Sequence, residues 1–280
     1  MKHSIKITLL LVLLFLASHI MGFFIIQNYL PAEQSLPLNI EKPEFEEQTS
    51  FIQIAIIILF ATIFILLLLK FKAVKLFKAW YFISIFVTLV IAFGAFIHEY
   101  FAIIIALIFA LLKLFRSNVF IHNFTEIFIY GGLAALFVPV LNIFSAVILL
   151  IIISVYDMIA VWKTKHMVSL AKFQAGSGAF AGLSIPYNIK GISKNVSNKI
   201  IRSKTESIAI LGGGDIGFPL MLSGAVMKYM GLIPALIVSL FAAIALFCLF
   251  VFAKKKKFYP AIPFISAGCF IGLIVIKLLF

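Results

Sequence analysis

Charge is what this chain has least of. Asp, Glu, Lys and Arg make up 12% of its 280 residues and 64% are hydrophobic, against about 25% and roughly 45–50% in an ordinary soluble domain. No soluble fold hides that much apolar surface, so a soluble enzyme or binding module is excluded. Cysteine is nearly missing as well. Cys248 and Cys269 both stand inside apolar runs, where they read as buried small side chains rather than a disulfide or a metal site. No cofactor or metal is called for. Acids are the scarcer charge, 10 against 23 basic residues, leaving a net charge of +13. Such an excess raises the question of a nucleic-acid partner. The basic residues, however, fall in short clusters between apolar runs, as membrane topology requires, and no nucleic acid is implied.

What fills the chain is apolar length. A bilayer core about 30 Å thick is crossed by about 20 helical residues, and most of the sequence divides into segments of that size. The first, Ile5 to Ile26, follows Lys2 and Lys6. Its apolar stretch exceeds the roughly 7–15 residues of a signal peptide and is read as a retained helix. The others are Phe51 to Leu69, Ala79 to Ile97, Tyr100 to Phe115, Val119 to Leu141, Asn142 to Trp162, Ser207 to Met230, Gly231 to Ala253 and Phe258 to Phe280. The expectation is an all-α, multi-pass transmembrane protein of about nine spans, the fourth of them short. Residues 1–280 are read as a single membrane-embedded domain, with N-terminal helices in 1–141 and catalytic helices in 142–280.

Orientation follows from the loops. Residues 28–50 carry Glu33, Glu41, Glu44, Glu46 and Glu47 against Lys42, whereas the next loop carries Lys70, Lys72, Lys75 and Lys78. The positive-inside rule makes the second loop cytoplasmic. Alternation then puts Lys113 and Arg116, the basic loop 163–206 and Lys254 to Lys257 on the same side. This predicts a cell-membrane protein with a cytoplasmic N-terminus and an external C-terminus. The loop 163–206 lacks a sustained periodic pattern and reads as cytoplasmic, with room for a short amphipathic or extended piece. His98-Glu99 reads as a short outer loop, Lys277 as a side chain snorkelling from the last helix, and the 32 phenylalanines as packing and lipid contact.

An ionisable side chain inside a span costs at least about 2.5–3.5 kcal/mol at the bilayer centre and is a functional candidate by default. Asp157 and Asp215 are read as the only two acids well inside the spans. Asp157 stands about six residues before Lys163, roughly 9 Å inside the cytoplasmic boundary, and Asp215 about eight residues after Ser207, roughly 12 Å inside. Two antiparallel helices thus carry lone acids at matching depth. Carboxylates about 3 Å apart share a proton, so one can act as base and the other as acid on a water attacking a peptide carbonyl. Depth and charge leave this protease reading level with a cation transporter or channel using the same acids. A membrane chaperone that binds helices without cutting them stands as a weaker alternative. Gly212-Gly213-Gly214 before Asp215 favours the protease, because glycine weakens helix by about 1 kcal/mol each and admits another backbone. A transporter would call for inverted repeats, and no convincing repeat is present.

Tyr156-Asp157 and Gly212-Gly213-Gly214-Asp215 resemble the YD and GxGD motifs of presenilins and signal peptide peptidases, on consecutive long helices as in that family. The family's third motif is a PAL triplet opening the last helix. Pro234-Ala235-Leu236 matches it literally but opens the eighth helix on the outer side, and is set aside. Pro260-Ala261-Ile262 follows Lys254 to Lys257 at the cytoplasmic start of the ninth helix, where the motif should stand, with Ile in place of Leu. Asp215-Ile216-Gly217-Phe218-Pro219 is more similar to signal peptide peptidases, the orientation to presenilins, and the whole to their single-chain archaeal homologues. The resemblance implies an intramembrane aspartic endopeptidase with Asp157 and Asp215 catalytic. Tyr156, Gly212, Gly213 and Gly214 would shape the cleft, and Pro260, Ala261 and Ile262 would border it. Substrates would be single transmembrane helices, including remnant signal peptides.

Overall fold

The computed structural model describes residues 4–31, 35–116, 118–164, 170, 173–174, 178–187, 208–253 and 259–280. Ser207, Phe258, the basic residues from Lys165 to Lys204 and Lys254 to Lys257, named above for topology, lie outside the described residues. Among those described, nine long helices form the body. They are α1 (Ile5–Tyr29), α2 (Ser50–Lys70), α3 (Val74–Gly94), α4 (Glu99–Phe115), α5 (Val119–Phe137), α6 (Ile143–Met158), α7 (Gly214–Met230), α8 (Leu232–Phe252) and α9 (Ile262–Leu279). The multi-pass helical expectation holds. Seven of these spans are long and apolar enough to cross a bilayer by length and composition, α6 when its continuation to Lys163 is included; α4 and α7, at 17 residues each, stand outside that set.

Local sequence sets most of the boundaries. Asn118 and Asn142 cap α5 and α6, each side-chain oxygen accepting from the backbone N–H three residues on, at 2.8 and 2.7 Å. Pro139 lies in the 3₁₀ turn Val138–Val140 that ends α5, since proline cannot continue a helix. A single residue, Gly231, joins α7 to α8 with φ of 93°, a conformation costly for any residue with a Cβ. Past Asp157, α6 runs on as one π-helical turn, Ile159–Lys163.

Lipid tails are as apolar as leucine, so helices in a membrane associate by close packing rather than by hydrophobic exclusion. Small residues supply it here. Ala102, Ala106 and Ala110 form one fully buried stripe of α4, which packs on α3. Gly268 and Gly272 bring α9 onto α8 so closely that a Cβ on Gly272 would lie 2.8 Å from the Val238 Cα. The main core runs through α1, α5, α6, α7, α8 and α9, with Leu11, Phe15, Phe23, Leu220 and Leu246 among its members. A second cluster joins α3, α4 and α5. Helix α2 stands at the periphery with only Ser50, Ile54 and Leu68 buried.

Two short strands accompany the helices among the described residues. β1 (Gly182–Pro186) and β2 (Ile208–Gly212) pair antiparallel, Ser184 opposite Ile210 and Gly182 opposite Gly212. β1 is the extended piece expected within loop 163–206. β2 corrects the expected helix from Ser207. The glycine-rich approach to Asp215 is strand up to Gly212, and helix α7 begins only at Gly214. Three consecutive glycines cannot hold a helical turn unaided, whereas Ile208 to Leu211 find a strand partner.

Candidate active site

Asp157 is buried, 3% exposed, on the last turn of α6. Its Oδ2 accepts from the backbone N–H of Ile262 at 3.3 Å. Ile262 is the first residue of α9, followed at once by Pro263. The first N–H groups of a helix have no partner within it and carry the positive end of its dipole. Pro260-Ala261-Ile262 therefore delivers a helix N-terminus to a carboxylate. Pro260 is buried and Ala261 half-buried beside it. Pro234-Ala235-Leu236 opens α8, directly after the turn at Gly231 that ends α7, one full helix length along the chain from Asp215.

Asp215 sits in the first turn of α7 and is half-buried. This replaces the expected depth of eight residues into a helix. The carboxylate folds back toward the glycines, since a Cβ on Gly212 would lie 3.2 Å from Asp215 Oδ2. A Cβ on Gly214 would lie 3.9 Å from Ile262 Cδ1. Ile262 thus joins the two halves, its N–H on Asp157 and its side chain against the residue before Asp215. Tyr156, next to Asp157 on α6, is hydrogen-bonded to the Thr62 side chain of peripheral α2.

The reading of Asp157 and Asp215 as the only acids well inside the spans is corrected by α5. Glu126, eighth residue of that helix, is 1% exposed, and Lys113 of α4, expected among the cytoplasmic loop charges, is 2% exposed and faces it. Lys113 Nζ donates to Glu126 Oε1 at 2.7 Å and to Thr125 Oγ1 at 3.0 Å. The Tyr130 hydroxyl donates to the other oxygen, Glu126 Oε2. The signal was present in the sequence: an acid inside one apolar run and a lysine in the run before it, which together avoid the cost of an isolated charge.

The same face of α5 holds β1. His122 Nε2–H donates to the Gly182 carbonyl at 2.7 Å, which leaves Nδ1 to accept from Lys113 Nζ at 3.4 Å. Asn123 imitates a neighbouring strand, donating to the Ser184 carbonyl at 2.8 Å and accepting from the Ser184 N–H at 2.9 Å. Tyr81 of α3 donates to the Phe180 carbonyl at 2.5 Å. These partners satisfy backbone groups of β1 and its approach that are buried within the protein, where an unpaired N–H or C=O is costly.

Away from the aspartates, His98 precedes α4 while Glu99 is its first residue, accepting from the Leu38 N–H at 2.7 Å. Cys269 is buried and Cys248 exposed, and both are free thiols.

A family model described as signal-peptide peptidase, presenilin aspartyl protease matches residues 12–280. A solved presenilin family intramembrane aspartate protease, in a C222 crystal form, superposes with a TM-score of 0.67 at 20% identity over 98% of this chain and 99% of that one. A structure so described in a P2 form gives 0.67 and 20% over 96% and 97%. No curated relative matches. Nothing in the fold or the comparisons supports the cation-transporter alternative. An intramembrane aspartic endopeptidase acting on transmembrane substrates within the bilayer accounts for the family match and the helical fold; the chain belongs to the signal-peptide peptidase and presenilin aspartyl proteases.

Proposed function

We propose that Asp157 and Asp215 are the water-activating pair of this protease. The observation that supports it best is the junction at Ile262, whose N–H serves Asp157 while its side chain packs beside Gly214. One aspartate, ionised, takes a proton from water as the oxygen attacks the scissile carbonyl. The other, protonated, gives its proton to the carbonyl oxygen; as the resulting diol collapses, the first aspartate protonates the departing amine and the second takes back a proton from a diol hydroxyl. Pro260, Ala261 and Ile262 border the site, and their helix terminus favours negative charge on Asp157. Tyr156, Gly212, Gly213 and Gly214 shape the cleft. The residues 142–280 carry this chemistry, and 1–141 the helices that surround it.

A substrate helix must unwind before its amides can be reached, and its freed backbone groups need partners. Because both backbone groups of Ser184 go to Asn123, Ser184 and Ile210 form the pair without mutual hydrogen bonds. The N–H and C=O of Ile210 then face away from β1, along the strand that leads to Asp215. That edge suits an extended segment added by backbone pairing. Substrates of this kind are single transmembrane helices and remnant signal peptides.

The basic clusters support a cytoplasmic N-terminus and external C-terminus, with the loop between α6 and α7 cytoplasmic. A chiral cleft reads a peptide in one direction, and this orientation favours helices whose N-terminus is external. The test uses purified protein in lipid vesicles with one labelled reporter helix inserted in each orientation. Cleavage of the N-terminus-outside reporter is expected. Cleavage confined to the opposite reporter overturns the direction, and two uncut reporters beside a properly folded enzyme overturn the assignment of the pair.

A further inference from the structure

Three glycines in a row carry no side chains with which to fix themselves, so the place of Asp215 relative to β2 has to be set by neighbours. At Gly213 the neighbour is Tyr130. A Cβ built there would lie 3.1 Å from both the Tyr130 hydroxyl and its Cε1. The hydroxyl is itself held, donating to Glu126 Oε2 while Lys113 Nζ holds Oε1 at 2.7 Å. Tyr130, Glu126 and Lys113 are all at most 3% exposed. His122, Glu126 and Tyr130 repeat at four-residue spacing and so share one face of α5. That face holds β1 at one end, through His122 on Gly182, and the glycine junction at the other. The Asp215 carboxylate is close enough for its charge to act on Tyr130.

We propose that Tyr130 is a positioning residue of the protease, its ring and hydroxyl setting the Gly213 backbone and so the approach of Asp215 to Asp157, with the buried Glu126–Lys113 pair fixing the tyrosine. The inference rests on the assignment of Asp157 and Asp215 as the catalytic pair. An ion pair inside a membrane span is a costly way to hold two helices together. Fixing a hydroxyl in a place where it cannot drift is what such a pair does and an apolar contact does not.

The test is steady-state cleavage of a fluorogenic transmembrane peptide in lipid vesicles. Active sites are counted by titration with a peptide carrying a hydroxyethylene unit in place of the scissile amide. Tyr130→Phe keeps the ring and removes the hydroxyl. It should lower kcat per titrated site about 10- to 100-fold, the scale on which small misplacements of catalytic groups act, with KM and Tm little changed. Glu126→Gln retains an acceptor for the tyrosine and should keep more of kcat than Glu126→Leu. The double variant Tyr130→Phe/Glu126→Leu should be no slower than the slower single variant, because both remove the same restraint. Unchanged kcat per site in Tyr130→Phe overturns the proposal. So does a fall in Tm and in titratable sites with kcat per site intact, which is the mark of a purely structural role. If wild type cleaves and Tyr130→Phe equals it, only this inference fails; if wild type itself neither cleaves nor binds the hydroxyethylene peptide, the catalytic pair fails with it.

Discussion

Replacing either aspartate by asparagine separates chemistry from architecture at this site. At Asp157 the structure makes the substitution mild for the fold. The asparagine of Asp157→Asn would keep an oxygen to accept the Ile262 N–H that Asp157 Oδ2 accepts at 3.3 Å, and a neutral amide costs less to bury at 3% exposure than a carboxylate. The bond is long, so the change from charged to neutral acceptor removes no more than about 1 kcal/mol. Asp215 is half-buried beside a glycine, and there too the isostere fits. Catalysis is another matter, since an amide at this site neither takes a proton from water nor gives one to the carbonyl oxygen. Loss of one general acid or base costs about 10²- to 10⁴-fold. Residues that work as a unit are not additive, so Asp157→Asn/Asp215→Asn should be no slower than the slower single variant. The assay is cleavage of a labelled transmembrane peptide in vesicles, with Tm measured in parallel. The reasoning is refuted if either single variant keeps near-normal turnover while folded, or if the double variant loses the product of the two single losses.

Pro260→Ala should slow cleavage much more than Pro234→Ala at equal expression, because only the first precedes the helix terminus that faces Asp157; the reverse ranking would overturn the assignment of the bordering motif. Gly272→Ala should destabilise the protein by about 1–3 kcal/mol, since its methyl group would meet the Val238 Cα at 2.8 Å and force α8 from α9; an unchanged Tm argues against that packing. Outside the spans, partial burial pushes the Glu47 carboxyl up, but hydrogen bonds from Lys228 and Tyr229 and the lysine's charge outweigh it and hold the pKa below its ordinary value. A lowered folded-state pKa adds stability that is present above the unfolded pKa and lost as pH falls through the folded one. Tm should therefore drop on acidification below about pH 4.5, and Glu47→Gln should flatten that drop; an equally steep fall in the variant assigns it to other groups.

The sequence by itself determined the class of molecule and most of its frame. Apolar runs of spanning length leave no other solvent than lipid for α1 to α9, and capping asparagines and prolines mark where several begin and end. Asp157 and Asp215 were legible because an acid inside an apolar run has few reasons to be there, and the motifs around them supplied the resemblance. What the one-dimensional pattern misjudged was local. Ile208 to Leu211 are apolar enough to continue a helix, and only β1, distant in the chain, makes them a strand. Lys113 reads as a loop charge and Glu126 as an acid in an apolar run, and only the packing of α4 against α5 makes them partners, 2.7 Å apart. The position of Pro260-Ala261-Ile262 was readable from its place after a basic cluster, but its use was not. That a backbone N–H at the start of α9 meets the carboxylate at the end of α6 depends on how three helices pack. Periodicity and composition report what each segment must bury; which groups meet across helices is decided by close packing, and in a membrane that is set by where the small residues let backbones approach.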